Sequence, residues 1–336
     1  MNIFFTFDYE LFLGNLSGSP ERCVIRPTEA LMRIAATHGV RFVFFVDSGY
    51  LARLAADRVR HPALGREYDA VFRQIDTLKR NKHEVQLHIH PGWRRAIYDD
   101  GNWKHDNERY RLHDYSKTEA RGIVLEYART LEEAAQGKAL AFRAGGWCIQ
   151  PFEHVAEALW DAGIRIDSTV IPGAFSSTGT HEYDFRTAPA DSRWRFSCDP
   201  AREDRAGRFL EIPIGAQTLG PWFFLKFSAI KLLGKSNSGR FSQFGDGSPI
   251  GSSKGEILAK LLKKSVAPIS CDGYRSQSLE SSYLNAARKN PDADFVVIGH
   301  PKAQSRYSLE NIDRCIAIMK KDSRNRFTVF SEVAKE

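Results

Sequence analysis

The chain is poor in sulfur and has no apolar run of membrane length. Its 336 residues include five cysteines and three methionines. The cysteines show no regular spacing, which excludes a disulfide framework and fits reduced thiols. No stretch of ~18 uncharged apolar residues occurs, so the sequence predicts no spanning helix. The start, Met1-Asn2-Ile3-Phe4-Phe5-Thr6-Phe7-Asp8, lacks a basic leader region, an apolar leader core and a small-residue cleavage site. It reads as a strand from the outset, and the expected location is the cytoplasm. Internal repeats and long low-complexity tracts are missing too. An apolar fraction of 42% and a charged fraction of 26% exclude a disordered or fibrous chain. Charge is nearly balanced: 48 Lys+Arg against 41 Asp+Glu, a net +7. That excess suits an anionic substrate or surface and does not call for nucleic acid.

What is present is an alternation of strands and helices. Strand candidates are Asn2–Asp8, Arg41–Asp47, His83–His90, Ala139–Arg143, Ile164–Val170, Phe209–Ile214, Val266–Cys271, Phe295–Gly299 and Arg326–Phe330. Helices are expected over Thr28–His38, Leu51–Arg60, Ala70–Arg80, Lys117–Gln136, Phe152–Ala162 and Leu309–Lys321. The first of these carries Pro27 and Gly39 as start and stop signals. This pattern predicts an α/β fold with a parallel sheet and crossover helices, and seven or eight strands favour a barrel over an open sheet. One barrel domain over 1–336 is expected, with insertions near 94–116 and 221–253. Within the second, Pro221–Leu233 is apolar and carries Lys226 and Lys231. It reads as a buried or lid helix, or as a surface helix making weak contact with anionic lipid.

Several strand ends carry chemistry. Side chains alternate along a strand, so Asp8 and Glu10 share a face at the end of the first one. Two acids there are costly to bury without a cation or partner. In His83-Glu84-Val85-Gln86-Leu87-His88-Ile89-His90, the two later histidines also share a face, ~7 Å apart along the strand. Such a pair can converge on one divalent cation, and with a carboxylate it has the composition of a catalytic metal site. Arg143 ends its strand beside Gly145 and Gly146, where it can pin a carboxylate through a bidentate pair. His300 projects from the end of Phe295–Gly299 as a natural general acid. Asp47, Asp167 and Asp272 also stand near strand ends, and at most one or two of them are expected to be functional. His38, His105, His113, His154 and Cys148 read as background.

The order of these motifs resembles the polysaccharide deacetylases, carbohydrate esterase family 4, from Thr6 to about Lys302. Thr6-Phe7-Asp8 looks like the family's first motif, whose Asp is the catalytic base. His88 lies in what looks like the second, which supplies two metal-binding histidines. Phe142-Arg143 looks like the third, whose Arg orients the base, and Ile298-Gly299-His300 like the last, whose His is the acid. The resemblance implies an irregular (β/α) barrel of about seven parallel strands that binds zinc or a similar divalent ion. The chain departs from the family in three places. Tyr9 stands where the family's metal-binding Asp usually follows the base, so Glu10 is expected to be the acidic ligand, with Asp47 as the alternative. Gly92 stands where the second His usually lies, so His90 is expected instead. Ala144-Gly145-Gly146-Trp147 replaces the prolines and Tyr of the third motif.

Together these readings give an expected activity: metal-dependent removal of an N-acetyl group from a sugar or glycan intermediate, releasing acetate. Asp8 is the expected base, Arg143 its positioner and His300 the acid, with a backbone N–H near Gly145 assisting at the oxyanion. The alternatives are a carbohydrate-binding pseudoenzyme and a metal amidohydrolase acting on a small acyl amide.

Overall fold

A computed structural model describes all residues except 191, 234–238, 252–254, 256–261 and 336. Part of the Gly/Ser-rich stretch beginning at residue 234 therefore lies outside the described residues. Nine described strands form one sheet: β1 (Asn2–Tyr9), β2 (Val43–Asp47), β3 (Glu84–Ile89), β4 (Ala141–Ala144), β5 (Ile166–Asp167), β6 (Trp194–Phe196), β7 (Phe209–Glu211), β8 (Asp294–Gly299) and β9 (Arg326–Phe327). The order is β6-β7-β5-β4-β3-β2-β1-β8, with β9 pairing to the beginning of β1. From β7 round to β8 the seven strands are parallel, and only β6 runs antiparallel. The sheet curls until its ends meet. Just past β7, Ile214 N donates to the Val170 carbonyl and Gly215 N donates to the Val296 carbonyl of β8, each at 2.9 Å. Only glycine allows this approach, because a Cβ at 215 would lie 2.9 Å from the Val296 oxygen.

Crossover helices pack on the outside. They are α1 (Arg26–His38), α2 (Ser48–Asp57), α3 (Pro62–Arg80), α4 (Lys117–Ala135), α5 (Ala156–Asp161), α6 (Pro221–Leu233), α7 (Leu279–Lys289) and α8 (Arg306–Met319). The local signals behave as the sequence predicts. Pro27 sits in the first turn of α1 and Gly39 ends it with a left-handed φ of 61°. Ser116 and Glu119 form a reciprocal capping box at the start of α4.

Period-2 alternation sorts the strand residues into two cores. Ile3, Phe5 and Phe7 of β1, with Phe44 and Val46 of β2, face the helices. Phe4, Val43, Phe45, Ala141, Ile166, Ile212 and Val296 form a separate apolar cluster with Phe330, filling the barrel interior. Glu84 ties the C-terminal segment to this end of the barrel, accepting from Phe330 N and Ser331 N at 2.8 Å each. Continuing along the inward-facing positions toward the strands' C-terminal ends, the residues turn polar: Thr6, Asp8, Asp47, Gln86, His88 and Arg143. The interior is thus an apolar plug below and a polar rim above, and sites in parallel α/β folds are built at that end.

Several elements differ from the sequence reading. Ser265–Pro268 leaves the main sheet and pairs antiparallel with Ala216–Leu219, and the chain meets β8 just beyond it, at the Ser270–Ile298 bridge. The 94–116 insertion holds a small hairpin, Ile97–Asp99 with Asn102–Lys104. Helix α7 and the hairpin of Phe175–Ser177 with Glu182–Asp184 were not anticipated.

Candidate metal and catalytic site

Strand register assembles the rim. Asp47 stands beside His88, and His88 beside Arg143, across β2, β3 and β4. On the other side of β1, Phe7 pairs with Gly299, so Asp8 and His300 stand side by side one residue further. The structure therefore brings together the seven residues assigned a catalytic or metal-binding role from the sequence: Asp8, Glu10, Asp47, His88, His90, Arg143 and His300.

The Arg143 guanidinium is fully buried and every arm is used. Nη1 donates to Asp8 Oδ1 at 2.6 Å, Nη2 to Thr6 Oγ1 at 3.0 Å and to Ser168 Oγ at 3.2 Å, and Nε to the Ser168 carbonyl at 2.8 Å. Its contact with Asp8 is single rather than bidentate. It also lies 4.1 Å over the Phe45 ring, at the boundary between plug and rim. A single arm on Asp8 leaves Oδ2 facing the cleft, 3.7 Å from His300 Nε2.

Glu10, His88 and His90 form a candidate metal centre, with one donor atom from each lying within 4.8 Å of the others. His88 Nδ1 lies 2.8 Å from the Arg143 carbonyl, which can only accept, so Nδ1 carries the proton. In the neutral ring, Nε2 then points a lone pair at Glu10 Oε2, 3.1 Å away. Two acceptors at that distance require a cation or an added proton between them. His90 Nδ1 faces the same Glu10 oxygen at 3.2 Å and Asp47 Oδ2 at 3.1 Å. Burial alone would depress the His88 pKa, but Asp8, Glu10 and Asp47 overcome it and push it up to about 9. For Glu10 burial again opposes charge, yet Lys302, His90 and His88 hold it well below the usual carboxylate range. Two imidazole nitrogens and a carboxylate oxygen converging in a buried niche are a donor set that fits a divalent cation.

The glycine beside this centre has a packing reason. A Cβ at Gly145 would lie 2.3 Å from the His90 ring. Asp47 accepts from Trp93 Nε1 at 2.6 Å as well as facing His90, so its contacts hold the ring in place.

Lys302, given no role from the sequence, and Asp272, one of the three strand-end acids noted there, complete the rim. Lys302 Nζ donates to Glu10 Oε1 at 2.8 Å and to the Leu11 carbonyl at 2.6 Å. The two Glu10 oxygens are thereby divided, Oε1 to lysine and Oε2 to the imidazoles. Asp272 grips His300 twice: Oδ2 meets Nδ1 at 2.7 Å and Oδ1 accepts from the backbone N at 2.7 Å. Gln304 Nε2 also donates to Asp272 Oδ1, at 3.1 Å. Burial by itself would lower the His300 pKa, but Asp272, Asp8 and Glu10 outweigh it and raise it.

These groups line a cleft of about 440 Å³ whose walls include Tyr110, Trp147, His181, Phe227, Tyr274 and Arg275. Gly146 and Trp147 both adopt left-handed backbone, φ 59° and 61°, in the turn after β4. Asp167 instead turns away to Glu211. The pair is fully buried, and burial pushes both carboxyls upward, Glu211 well above its ordinary range. Burial also pushes the Cys148 thiol up to about 11, in keeping with its background reading.

No protein-family model matches the chain, and no curated protein matches it. Solved structures do. A protein assigned as a polysaccharide deacetylase from Mycobacterium smegmatis superposes with a TM-score of 0.55 at 17% identity, over 99% of this chain and 88% of that one. Another, assigned the same way, from Pseudomonas aeruginosa PAO1 gives 0.51 at 14% identity, over 99% and 89%. This chain has the fold of the polysaccharide deacetylases, a curled parallel α/β barrel, reached through a very different sequence.

Proposed function

We propose that the chain is a metal-dependent hydrolase that removes an N-acetyl group from an amino sugar or glycan intermediate, releasing acetate. One observation carries the reading. The Asp8–Arg143 pair, the Glu10/His88/His90 group and the His300–Asp272 pair converge on a single cleft.

Glu10, His88 and His90 would hold a divalent ion, which when bound would supply Lewis-acid activation of water and of the amide carbonyl. The protein's own groups do the rest. Asp8, aimed by Arg143, takes a proton from the attacking water through Oδ2. His300 gives its Nε2 proton to the departing amine, which leaves poorly unless protonated. Its Nε2 lies 3.7 Å from both Asp8 Oδ2 and Glu10 Oε1, so base and acid flank one small volume. Asp272 fixes the imidazole and favours its charged form. Lys302 and Asp47 orient Glu10 and His90 from behind. Trp147 and Tyr110 offer the cleft aromatic faces of the kind that stack on sugar rings.

Acetate release from a panel of N-acetylated sugars, with and without chelator, tests the proposal. Release that is lost on chelation and recovered with a divalent ion supports it, and no release from any member sinks it. One observation favours a second reading, a binding protein without turnover: the Lys302 ammonium already neutralises one Glu10 oxygen. A preparation that holds sugar but binds no metal would select it.

A further inference from the structure

The chain's positive charge is not spread evenly. Between residues 212 and 270 the sequence has eight basic and two acidic side chains, so this stretch supplies six of the seven net charges. The same stretch holds α6, whose exposed face is apolar. Trp222 is 67% exposed and Leu225 47%, and with Lys226 and Ala229 they form a stripe at positions i, i+3, i+4 and i+7. The Lys226 ammonium sits 5.4 Å over the Trp222 ring. The opposite side of the helix is anchored, with Phe224 buried and Phe223 and Phe227 packing on Tyr274 at 5.7 and 6.2 Å.

A second segment extends the same surface. Leu219, just before α6, pairs with Ser265. That register brings Leu262, Lys263 and Lys264, all exposed, to the start of the helix. Leu262 is 67% exposed and Val266 39%. The helix, 13 residues long, is too short to span a bilayer, and an exposed Trp and Leu beside Lys226, with Lys263 and Lys264 near its start, form a side-chain set suited to an anionic lipid interface. No helix among the described residues is long and apolar enough to cross a membrane. The surface adjoins the cleft mouth, since Phe227 of α6 and Gln243, Pro249 and Ile250 beyond it line that cleft.

We propose that α6 together with Leu262–Lys264 docks the protein on an anionic phospholipid surface, with the cleft opening beside the bilayer. Trp222 and Leu225 enter the headgroup boundary, and the lysines pair with lipid phosphates. This docking does not depend on the deacylation reading.

The test is co-sedimentation of the full chain with phosphatidylcholine vesicles, either pure or containing about a quarter phosphatidylglycerol. Binding should occur only with the anionic vesicles and should fall at high salt. The exposed pair K263Q/K264Q should weaken it roughly 30-fold, and W222Q/L225Q at least about tenfold. Both variants should keep the wild-type circular dichroism spectrum and melting temperature. The proposal is overturned if the wild type stays in the supernatant with anionic vesicles, or if both variants bind as well as it does. It is also overturned if light scattering shows a dimer that W222Q/L225Q dissociates, because a second copy of the chain would then cover the surface.

Discussion

Asp272 offers the sharpest test of the acid role assigned to His300. An acid works only while protonated, so the activity it supports is present below its titration and lost as pH rises through it. Burial opposes the charged imidazole, and Asp272 is the largest influence raising it. Asp272→Asn keeps the shape and the backbone bond but removes the charge opposite Nδ1. A hydrogen bond to a charged group contributes about 1.5–3 kcal/mol. Losing it should therefore move the alkaline limb of the rate profile to lower pH. Above that limb the rate on an N-acetyl sugar should drop roughly 10–150-fold. At acid pH, where the imidazole is protonated in both proteins, the loss should be small. The assay is kcat/KM for acetate release across pH, repeated on a matched O-acetyl substrate. The oxygen leaving group leans less on an acid and should suffer less. An unshifted limb, with equal losses on both substrates, would refute the reasoning and leave Asp272 as a loop-fixing residue.

The other predictions concern the metal, the base and stability. Glu10→Gln should empty the metal centre, whereas Asp47→Asn should keep the ion with affinity lowered about 10–100-fold; elemental analysis of both variants would expose the opposite assignment. Asp8→Asn should cost ~10²–10⁴-fold in turnover while retaining metal, and a near wild-type rate would remove Asp8 from the chemistry. Glu211 titrates well above its ordinary value in the folded protein, so the folded state holds a proton that the unfolded state releases, and stability should fall as pH rises from the ordinary carboxylate range toward that raised value. Glu211→Gln should flatten this decline, measured as melting temperature against pH, and an equally steep decline in the variant would argue against it.

The parallel barrel was legible because its strands carry near-continuous apolar runs bounded by turn signals, as in Phe42–Val46 and Phe295–Ile298. What escaped were elements whose stability comes from distant partners. Val266–Cys271 has strand composition, but nothing local says that it pairs with Ala216–Leu219 instead of joining the main sheet. The short strand Trp194–Phe196 depends on β7 and packs Phe196 against Phe152 and Phe209. Helix α7 starts at Leu279 after Ser278, whose side chain makes no cap bond, and the run Ser276-Gln277-Ser278 before it reads equally as a loop.

For the site, alternation along single strands was enough to pair Asp8 with Glu10 and His88 with His90, because a period of two is a local property. The choice between Glu10 and Asp47 was not local. Both reach the same rim, and they differ in what surrounds them. Trp93, three residues past His90, donates to Asp47 Oδ2 and so holds that carboxylate against the His90 side. Lys302, 292 positions away, holds Glu10 by Oε1 and leaves Oε2 between the two imidazoles. The departure at Gly92 has its answer in the same geometry. In the proposed centre the second histidine is at 90 instead of 92, and both rings leave the same face of one strand and its extension. Gly145, on the neighbouring strand's exit, leaves the space that the His90 ring needs. A bulkier residue at 145 would push His90 off Glu10, so Gly145 and the close spacing of the histidines are two halves of one packing solution.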